Sequence, residues 1–499
     1  MILRGGRVLR AGAATLEDAD ILIDGERIAA VEARLPRAPD HEEIDARGFL
    51  VLPGLINAHT HAHNNLLRGL AGRWTLENLL NHAQALNANR TPEDQYLSAA
   101  IGAVEMLKTG CTAAYDLFMA APAPTPEGVE AVTRAYADVG MRAVIAPAVG
   151  DLVFFETVPD LYDLLPKPLR QVVEAIRPSP TAGLLELSET TIRRWHGADG
   201  GRTRVALAPT IPTQCTDEFL AGCGKLARDY GVGLHTHLSE SKTQTVAAAR
   251  RWGKTSVARL DELGMLNPGF TGAHGVWLTD DDIARLGAAG ASIAHNPASN
   301  LRLGSGIAPV REMLDRGVTV GMGTDGSMSS DNQNLFEAMR LAALLGNVRF
   351  PADDARWLEA ADVWHMATEG SARALGLAAD VGAIAPGRKA DLVLLRADSV
   401  FLRPLNDALN ALVYRETGAD VDTVLVDGRI VLRGGRALNV DEERLRARAE
   451  EAANAVRARN ADAWTLAEQL APYIGEACRA AAAVPFPVNR YAAPLPRPA

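Results

Sequence analysis

Short runs of apolar residues recur along the middle of the chain, and several are followed by a stretch in which apolar positions repeat every three or four residues. We count eight such runs, at 51–59, 111–117, 142–149, 204–210, 232–240, 270–278, 291–297 and 318–326. Stretches with helical spacing follow at 99–110, 217–231, 279–290 and 308–317. Continuous apolar runs that alternate with helices are typical of parallel strands covered by helices. The pattern therefore predicts an α/β fold with a (β/α)8 TIM-like barrel over residues 53–375.

The two ends of the chain have a different pattern, in which short apolar runs flank an Asp-Gly pair. Asp24-Gly25 and Asp427-Gly428 both have this setting, which is a strong signal for a β-hairpin. An isolated hairpin is only marginally stable in water. We therefore favour one small composite β-sandwich domain, built from residues 1–52 and 376–440, over two separate edge hairpins.

The residues after 440 predict a helical extension. The spacing of apolar residues from 441 to 483 indicates two amphipathic helices, and a proline-rich, irregular tail follows. The sequence thus predicts a further segment at 441–499.

Composition and charge narrow the class of protein. At 499 residues the chain is too long for one simple core. Its formal charge of −10 disfavours a nucleic-acid partner. Four cysteines without a CxxC pair fit a reduced cytoplasmic setting. The sequence predicts neither a signal peptide nor a membrane span, because the N-terminus lacks a long apolar core and no apolar run reaches about 18 residues.

Several of the eight runs end in residues that bind metals or transfer protons. These residues are His59, His61, His237, Glu240, His274 and Asp325. The carboxyl ends of the strands form the active-site face of a (β/α)8 barrel, so the side chains should meet there. Residues i and i+2 of a strand point to the same side, which lets both histidines of the first run reach one ion.

Imidazoles and one carboxylate around a position left for water form a catalytic zinc or iron arrangement. Each residue alone could equally be a packed group of the barrel interior, but their joint placement on four strand ends favours a metal site. We predict one divalent ion, Zn²⁺ with Fe²⁺ as the alternative, because the same ligands suit both. Such an ion lowers the pKa of a bound water from about 15.7 toward 7.

Three residues have candidate catalytic roles. Asp325 can bind the ion and also take the proton of the water. Glu240 lies where the chain leaves its strand, which places it to protonate a ring nitrogen of a substrate; the alternative is a carboxylate in the first turn of a helix. His274 can hold the developing oxygen or orient the hydroxide, and its alternative is a buried, satisfied histidine.

Other residues are weaker candidates. His63 and His295 lie just past strand ends and could touch a substrate. Trp74 follows the first strand and could stack on a substrate ring or pack under a lid. His235 is interpreted as a packed histidine of the barrel interior.

Six motifs resemble the amidohydrolase superfamily, namely 53–61, 66–70, 235–241, 272–282, 294–310 and 323–344. The resemblance spans residues 1–440 and is strongest to the branch that includes S-adenosylhomocysteine/methylthioadenosine deaminases, guanine deaminases and triazine hydrolases. It implies metal ligands at His59, His61, His237 and Asp325, an acid–base glutamate at Glu240, and a catalytic histidine at His274. It also implies a homodimer or larger homo-oligomer.

Two departures from the family concern the fourth and first runs. Relatives that bridge two metals need a lysine from a mid-barrel strand, and 204–210 contains none, which fits a single ion. Thr210 stands where adenosyl-type deaminases have a histidine that touches the substrate, so it becomes a candidate substrate contact. His63-Asn64-Asn65 replaces a largely apolar stretch, and 150–203 has no obvious counterpart.

The sequence therefore predicts a metal-dependent aminohydrolase that converts an amino-substituted N-heterocycle or nucleoside and water into the oxo product and ammonia. One alternative is a triazine-type hydrolase that releases chloride or an alkylamine from the same site. A barrel that binds a small molecule without catalysis is the other. Ammonia release separates the three.

Overall fold

The computed structural model of the protein describes residues 1–13, 15–36, 41–177 and 179–492. The strands of these described ranges are β1 Ile2–Val8, β2 Glu17–Asp24, β3 Arg27–Glu32, β4 Glu43–Asp45, β5 Phe49–Pro53, β6 Leu55–Thr60, β7 Cys111–Phe118, β8 Arg142–Val149, β9 Thr203–Val205, β10 Ala208–Pro209, β11 Leu234–Leu238, β12 Phe270–His274, β13 Ser292–His295, β14 Thr319–Met322, β15 Leu392–Arg396, β16 Val421–Val426, β17 Arg429–Arg433 and β18 Arg436–Ala437.

The α-helices are α1 Leu76–Asn87, α2 Pro92–Lys108, α3 Pro126–Val139, α4 Phe154–Thr157, α5 Leu161–Leu164, α6 Lys167–Ala175, α7 Thr181–Trp195, α8 Asp217–Tyr230, α9 Lys242–Trp252, α10 Ser256–Glu262, α11 Asp280–Ala288, α12 Pro297–Arg302, α13 Val310–Asp315, α14 Leu335–Arg349, α15 Ala360–His365, α16 Ser371–Ala374, α17 Ala408–Tyr414, α18 Glu442–Arg459 and α19 Ala461–Ala483. A π-helical turn, Met366–Gly370, joins α15 to α16. Over the described residues, no helix combines the length and the apolar character that crossing a membrane requires.

Strands β6 to β14 form the predicted barrel. β6, β7, β8, β9 and β10 make one parallel sheet, and β11 to β14 make another. Parallel bridges join the two sheets at Leu207–Leu234 and at Thr60–Asp325, which closes the ring. The predicted helices following these strands are confirmed as α2, α8, α11 and α13. On β7, Ala113, Tyr115 and Leu117 lie in one apolar cluster, whereas Ala114 and Phe118 lie in the core beneath the helices.

The chain ends meet in one sheet, as predicted for the composite domain. Its strand order is β18-β17-β16-β15-β5-β1-β2-β3, with β4 on β1, and the antiparallel pair β15 and β5 joins the two chain ends. Side chains from both ends pack into one apolar cluster. The hairpin at Asp427-Gly428 has φ angles of +49° and +70°, the left-handed pair that a tight hairpin turn needs. The boundaries at 52, 375 and 440 stay predictions.

A buried ion cluster connects the barrel to the composite sheet. The Arg142 guanidinium, at the start of β8, donates to Asp391 at 3.1 and 3.2 Å and to Asp427 at 2.5 Å. All three residues are buried. Since a buried charge without a partner is costly, the cluster holds the sheet against the bottom of the barrel only while it is complete.

We expect Arg142→Met to lower the free energy of unfolding by about 3–5 kcal/mol, because the buried carboxylate of Asp391 loses its cation. Asp427 keeps Lys389 at 3.2 Å and Arg202 at 3.7 Å. Urea denaturation followed by circular dichroism measures this change. Arg193→Met, which removes an exposed ion pair with Glu189, is the control and should leave the midpoint unchanged. Equal midpoints for the two variants would contradict the interpretation.

The extension after residue 440 consists of α18 and α19, which pack on the barrel. Helix α19 runs beside α1, and α18 lies beside α2. The described part of the proline-rich tail has neither helix nor strand, and its Phe486 and Tyr491 rings contact Trp277 at 6.3 and 4.9 Å between ring centroids. Residues 493–499 of the predicted tail lie outside the described ranges.

Candidate metal centre and active site

Two histidines at the end of β6 face a common point. The ring centroids of His59 and His61 are 4.7 Å apart. His61 Nδ1 donates to the carbonyl of Leu117 at 2.7 Å, which leaves its Nε2 free for the centre. Both ring nitrogens of His59 are buried without a hydrogen-bond partner in the described structure. Buried polar atoms normally have partners, so these nitrogens indicate a missing ligand.

His237, at the end of β11, completes the histidine cluster. Its Nδ1 donates to the carbonyl of Thr210 at 2.6 Å, so its Nε2 carries the lone pair. That Nε2 lies 3.1 Å from Nε2 of His61. Two lone pairs directed at one point at this separation suit a shared cation.

Asp325 supplies the carboxylate. Its Oδ1 lies 3.0 Å from His61 Nε2 and 3.4 Å from His59 Nε2. Its Oδ2 accepts hydrogen bonds from the hydroxyls of Ser299 at 2.6 Å and Ser329 at 2.8 Å. One oxygen is therefore held by serines and the other faces the histidines. The two serines were not among the residues that the sequence predicted.

His274 and Glu240 stand beside this cluster. His274 Nδ1 donates to Oδ1 of Asn300 at 2.9 Å, and its Nε2 lies 3.5 Å from Oε2 of Glu240. The backbone nitrogen of Glu240 donates to the side chain of Gln244 at 2.9 Å. Asn300 and Gln244 were also missed, although Asn300 lies within the motif 294–310 that carried the family resemblance.

Backbone strain concentrates at the same strand ends. Ser239, His274 and Asp325 have φ angles of +48°, +72° and +61°, a region that residues other than glycine rarely occupy. Such strain clusters at functional sites, where the surrounding structure over-determines the conformation. Gly323 allows β14 to approach β6, because a Cβ there would come within 3.0 Å of the Cβ of His59.

Burial and charge set the protonation of the cluster. Burial lowers the pKa of His59 to about 3 and that of His237 well below its usual value, so both rings are neutral. Burial acts against ionisation of Asp325, but the neighbouring rings of His59 and His61, whose Nε2 atoms lie 3.4 and 3.0 Å from its Oδ1, hold its pKa well below the usual range. For His61, the effect of burial is outweighed by Asp325, and its pKa is raised. The cluster presents a carboxylate among imidazoles, as a metal requires.

The environment of Glu240 favours a neutral carboxyl, whereas that of Asp325 favours an ionised one. Burial, and then the negative charges of Asp325 and Glu77, raise the pKa of its carboxyl well above the usual value. These environments favour the neutral carboxyl at Glu240 and the ionised carboxylate at Asp325. Two carboxyl groups whose environments separate their pKa values mark an acid and a base.

The residues fit a metal ion. One ligand atom each from His59, His237, His274 and Asp325 lies within 4.8 Å of the others. His61 faces the same point through the contacts already described. The site is therefore a metal-binding site.

Two of the weaker candidates lie at the metal centre, and the other residues lie elsewhere. Thr210 and His63 line the small cavity at the metal centre, and Nδ1 of His63 accepts a hydrogen bond from the backbone nitrogen of Met119. Trp74 instead stacks on His82, with ring centroids 4.2 Å apart. His295 lines a separate cavity of about 10 Å³ between β13 and the outer helices. His235 packs on Tyr115 at 4.3 Å between centroids.

Two cavities adjoin at the carboxyl ends of the strands. The metal centre opens into a cavity of about 40 Å³. A second cavity, of about 400 Å³, shares the lining residues Met119 and Thr210 with it. The four residues of helix α1 that roof the small cavity are Leu76, Leu79, Leu80 and Ala83. Only the larger cavity reaches the size of about 300–1,000 Å³ that is usual for ligand pockets.

Known proteins share this architecture. The Amidohydrolase family model matches residues 50–431. A 5'-deoxyadenosine deaminase of Methanothermobacter thermautotrophicus is 36% identical over 454 residues, which cover 91% of this chain and 98% of the relative. A 5-methylthioadenosine/S-adenosylhomocysteine deaminase of Desulforudis audaxviator is 36% identical over 423 residues, covering 83% and 88%. The zinc complex of atrazine chlorohydrolase TrzN from Arthrobacter aurescens has a TM-score of 0.83, 30% identity, and coverage of 91% and 99%.

These findings confirm the predicted fold, the predicted superfamily and the predicted class of hydrolase, which acts on carbon–nitrogen bonds other than peptide bonds. The match spans more than half of the chain, and the relatives are covered almost completely. This chain belongs to the amidohydrolase family.

Proposed function

We propose that this protein is a mononuclear metal-dependent deaminase of adenosine-type nucleosides with a small apolar group at the 5' carbon. The observation that carries the proposal is the buried pair of Glu240 and His274, 3.5 Å apart beside the candidate metal ligands, with the pKa of Glu240 raised by burial. Deamination has to protonate both a ring nitrogen and the leaving amine, so it needs such an acid–base pair. The relatives named 5'-deoxyadenosine and methylthioadenosine deaminases support the substrate class.

We assign the ligands to His59, His61, His237 and Asp325. A divalent ion bound there supplies a water of lowered pKa. A single ion is proposed because the fourth run, residues 204–210, contains no lysine that could bridge two metals. Zinc is the first candidate, since the related triazine enzyme was crystallised with zinc, and ferrous iron is the alternative.

Each residue then has one task. Glu240 donates its proton to the ring nitrogen beside the amino-bearing carbon, which makes that carbon electrophilic. Asp325 accepts one proton from the attacking water and passes it to the leaving amine. The second proton of that water, left on the new hydroxyl, returns to Glu240 as the carbonyl forms and ammonia leaves. His274, held by Asn300, directs its Nε2 at the oxygen of the tetrahedral carbon. The products are the oxo heterocycle and ammonia.

The larger cavity is proposed to hold the sugar and its 5' group. Asn87 is 1% exposed, and neither its amide nitrogen nor its amide oxygen has a partner in the described structure. The Thr210 hydroxyl, 5% exposed, also has none. A ribose offers hydroxyls that can pair with both groups. Val153, Phe154 and Leu184 line the same cavity and favour an apolar 5' group.

We expect ammonia release from 5'-deoxyadenosine and 5'-methylthioadenosine, and slower release from S-adenosylhomocysteine and free adenine. Asn87→Ala should raise KM for the nucleosides by about tenfold or more, because two buried hydrogen bonds are lost, and should leave KM for adenine unchanged. A coupled ammonia assay measures both. Asn454→Ala, on the exposed face of α18, is the control.

Other outcomes of the panel have defined meanings. Chloride or alkylamine release from a triazine, without ammonia from any nucleoside, would replace the proposal by the triazine alternative, which the structural similarity supports. Tight metal binding without turnover would support the non-catalytic alternative.

Two further expectations accompany the proposal. The four cysteines are all buried and unpaired, which supports a reducing cytoplasmic location. The predicted homo-oligomer stays a prediction, which sedimentation velocity tests.

A further inference from the structure

Helix α1 covers the metal centre with four of its side chains. The cavity beneath it holds about 40 Å³, far below the usual size of a ligand pocket. The face of α1 opposite the cavity rests on α19. There the side chain of Asn81 donates to the carbonyl of Ala467 at 2.8 Å, and His82 Nε2 lies 3.2 Å from Glu468. We call α1 the lid helix.

One buried carboxylate of the lid helix reaches the loop that carries the proposed acid. Glu77 is 4% exposed. Its Oε1 accepts a hydrogen bond from the Ser241 hydroxyl at 2.5 Å, and its Oε2 accepts one from the Cys478 thiol at 3.2 Å. Glu77 thus joins three elements: the lid helix, the start of α9 and the extension helix α19.

The contact with Ser241 continues to Glu240. The Ser241 hydroxyl caps α9 by accepting from the backbone nitrogen of Gln244 at 3.1 Å. The side chain of Gln244 in turn accepts from the backbone nitrogen of Glu240. Glu240 itself makes no hydrogen bond through Oε1 in the described structure. The position of the Glu240 side chain therefore depends on its backbone, which the hydrogen bonds through Ser241 and Gln244 hold in place.

We propose that Glu77 is a positioning residue, which holds Glu240 in place through Ser241 only while the lid helix is closed. The acid is then in position when the substrate is enclosed and released when the lid opens, which couples enclosure to proton transfer. Cys478 braces the carboxylate from behind. The inference rests on the proposed function in so far as it takes Glu240 to be the proton donor.

The test compares Glu77→Ala, Glu77→Gln and Ser241→Ala. A misplaced catalytic group loses up to about 100-fold in rate, so we expect Glu77→Ala to lower kcat by about 10- to 100-fold with less effect on KM and with metal content unchanged. Glu77→Gln retains an acceptor for Ser241 and should recover most of the rate. The double variant Glu77→Ala/Ser241→Ala should be no slower than the worse single variant, because both break one connection. Additive losses, or equal losses for Ala and Gln, would overturn the proposal.

A matched control and a second measurement separate this proposal from the proposed function. Glu468→Gln weakens another contact between α19 and the lid helix without touching Ser241, and it should leave kcat unchanged. Hydrogen exchange of residues 239–245 in the metal-loaded protein should accelerate in Glu77→Ala and not in Glu468→Gln. Exchange needs no substrate, so unchanged exchange in Glu77→Ala overturns the positioning role, whereas absent turnover in the wild type overturns only the proposed function.

Discussion

Glu240→Gln is expected to lower kcat for ammonia release by about 10²–10⁴-fold, the usual contribution of an acid–base group. The amide keeps the size of the side chain and removes the proton that the ring nitrogen takes. Burial and the charge of Asp325 keep the pKa of Glu240 well above its usual value, which favours the protonated carboxyl that the donor role requires. Steady-state kinetics on the nucleoside that turns over fastest measures the loss.

Metal analysis accompanies these kinetics. Glu240 is not among the proposed ligands, so the variant should bind one equivalent of metal as the wild type does. Glu262→Gln, an exposed glutamate at the outer end of α10, is the control and should keep full activity. Wild-type kcat in Glu240→Gln would exclude this residue as the proton donor.

Removal of the metal is expected to abolish activity and to destabilise the fold. Without the ion, the unpaired nitrogens of His59 stay buried without partners. A ligand present at about 1,000 times its Kd stabilises the native state by about 4 kcal/mol, so a chelated protein should unfold at a clearly lower temperature. Differential scanning calorimetry before and after chelation measures the shift, and addition of Zn²⁺ or anaerobic Fe²⁺ identifies the better activator.

The serines behind Asp325 test the assigned carboxylate. Partners that orient a ligand contribute about 10- to 100-fold in metal affinity, so Ser299→Ala and Ser329→Ala should each weaken binding by that factor. Ser330→Ala is the matched control, because its hydroxyl donates to the carbonyls of Gly326 and Asn332 and not to Asp325. Full activity in a chelated protein that contains far less than one equivalent of metal would contradict a metal-dependent reaction.

Much of the site was visible in the sequence because its residues recur at one kind of position. His59, His237 and Asp325 each follow an apolar run, and the carboxyl ends of parallel strands meet at one face. The structure brings these side chains within 4.8 Å of one another. Local pattern and topology together were sufficient to predict that meeting point.

The residues that support the site do not lie at the end of an apolar run, so the sequence pattern did not indicate them. Ser299 and Asn300 lie in helix α12, and their partners Asp325 and His274 are each 26 positions away in the sequence. Asn87 is the last residue of α1 and lines a cavity formed largely by residues distant in the sequence. Serine and asparagine are common in loops and helix ends, so their type alone does not distinguish a buried contact from a solvated one. His295 shows the converse, since it follows a strand end and yet faces the outer helices.

The sequence by itself determined the alternation of strands and helices, the hairpins of the terminal sheet and the residue types at the barrel mouth, because these follow from periodicity and turn chemistry over short distances. The tertiary structure alone decided which side chains face the candidate metal centre, which serines hold Asp325, and how Glu77 joins the lid helix to Ser241 and Cys478. Apart from Ser329, which is four positions from Asp325, those contacts join residues from 26 to 401 positions apart, and their geometry depends on how every intervening element packs. No pattern of neighbouring residues in the sequence predicts that packing.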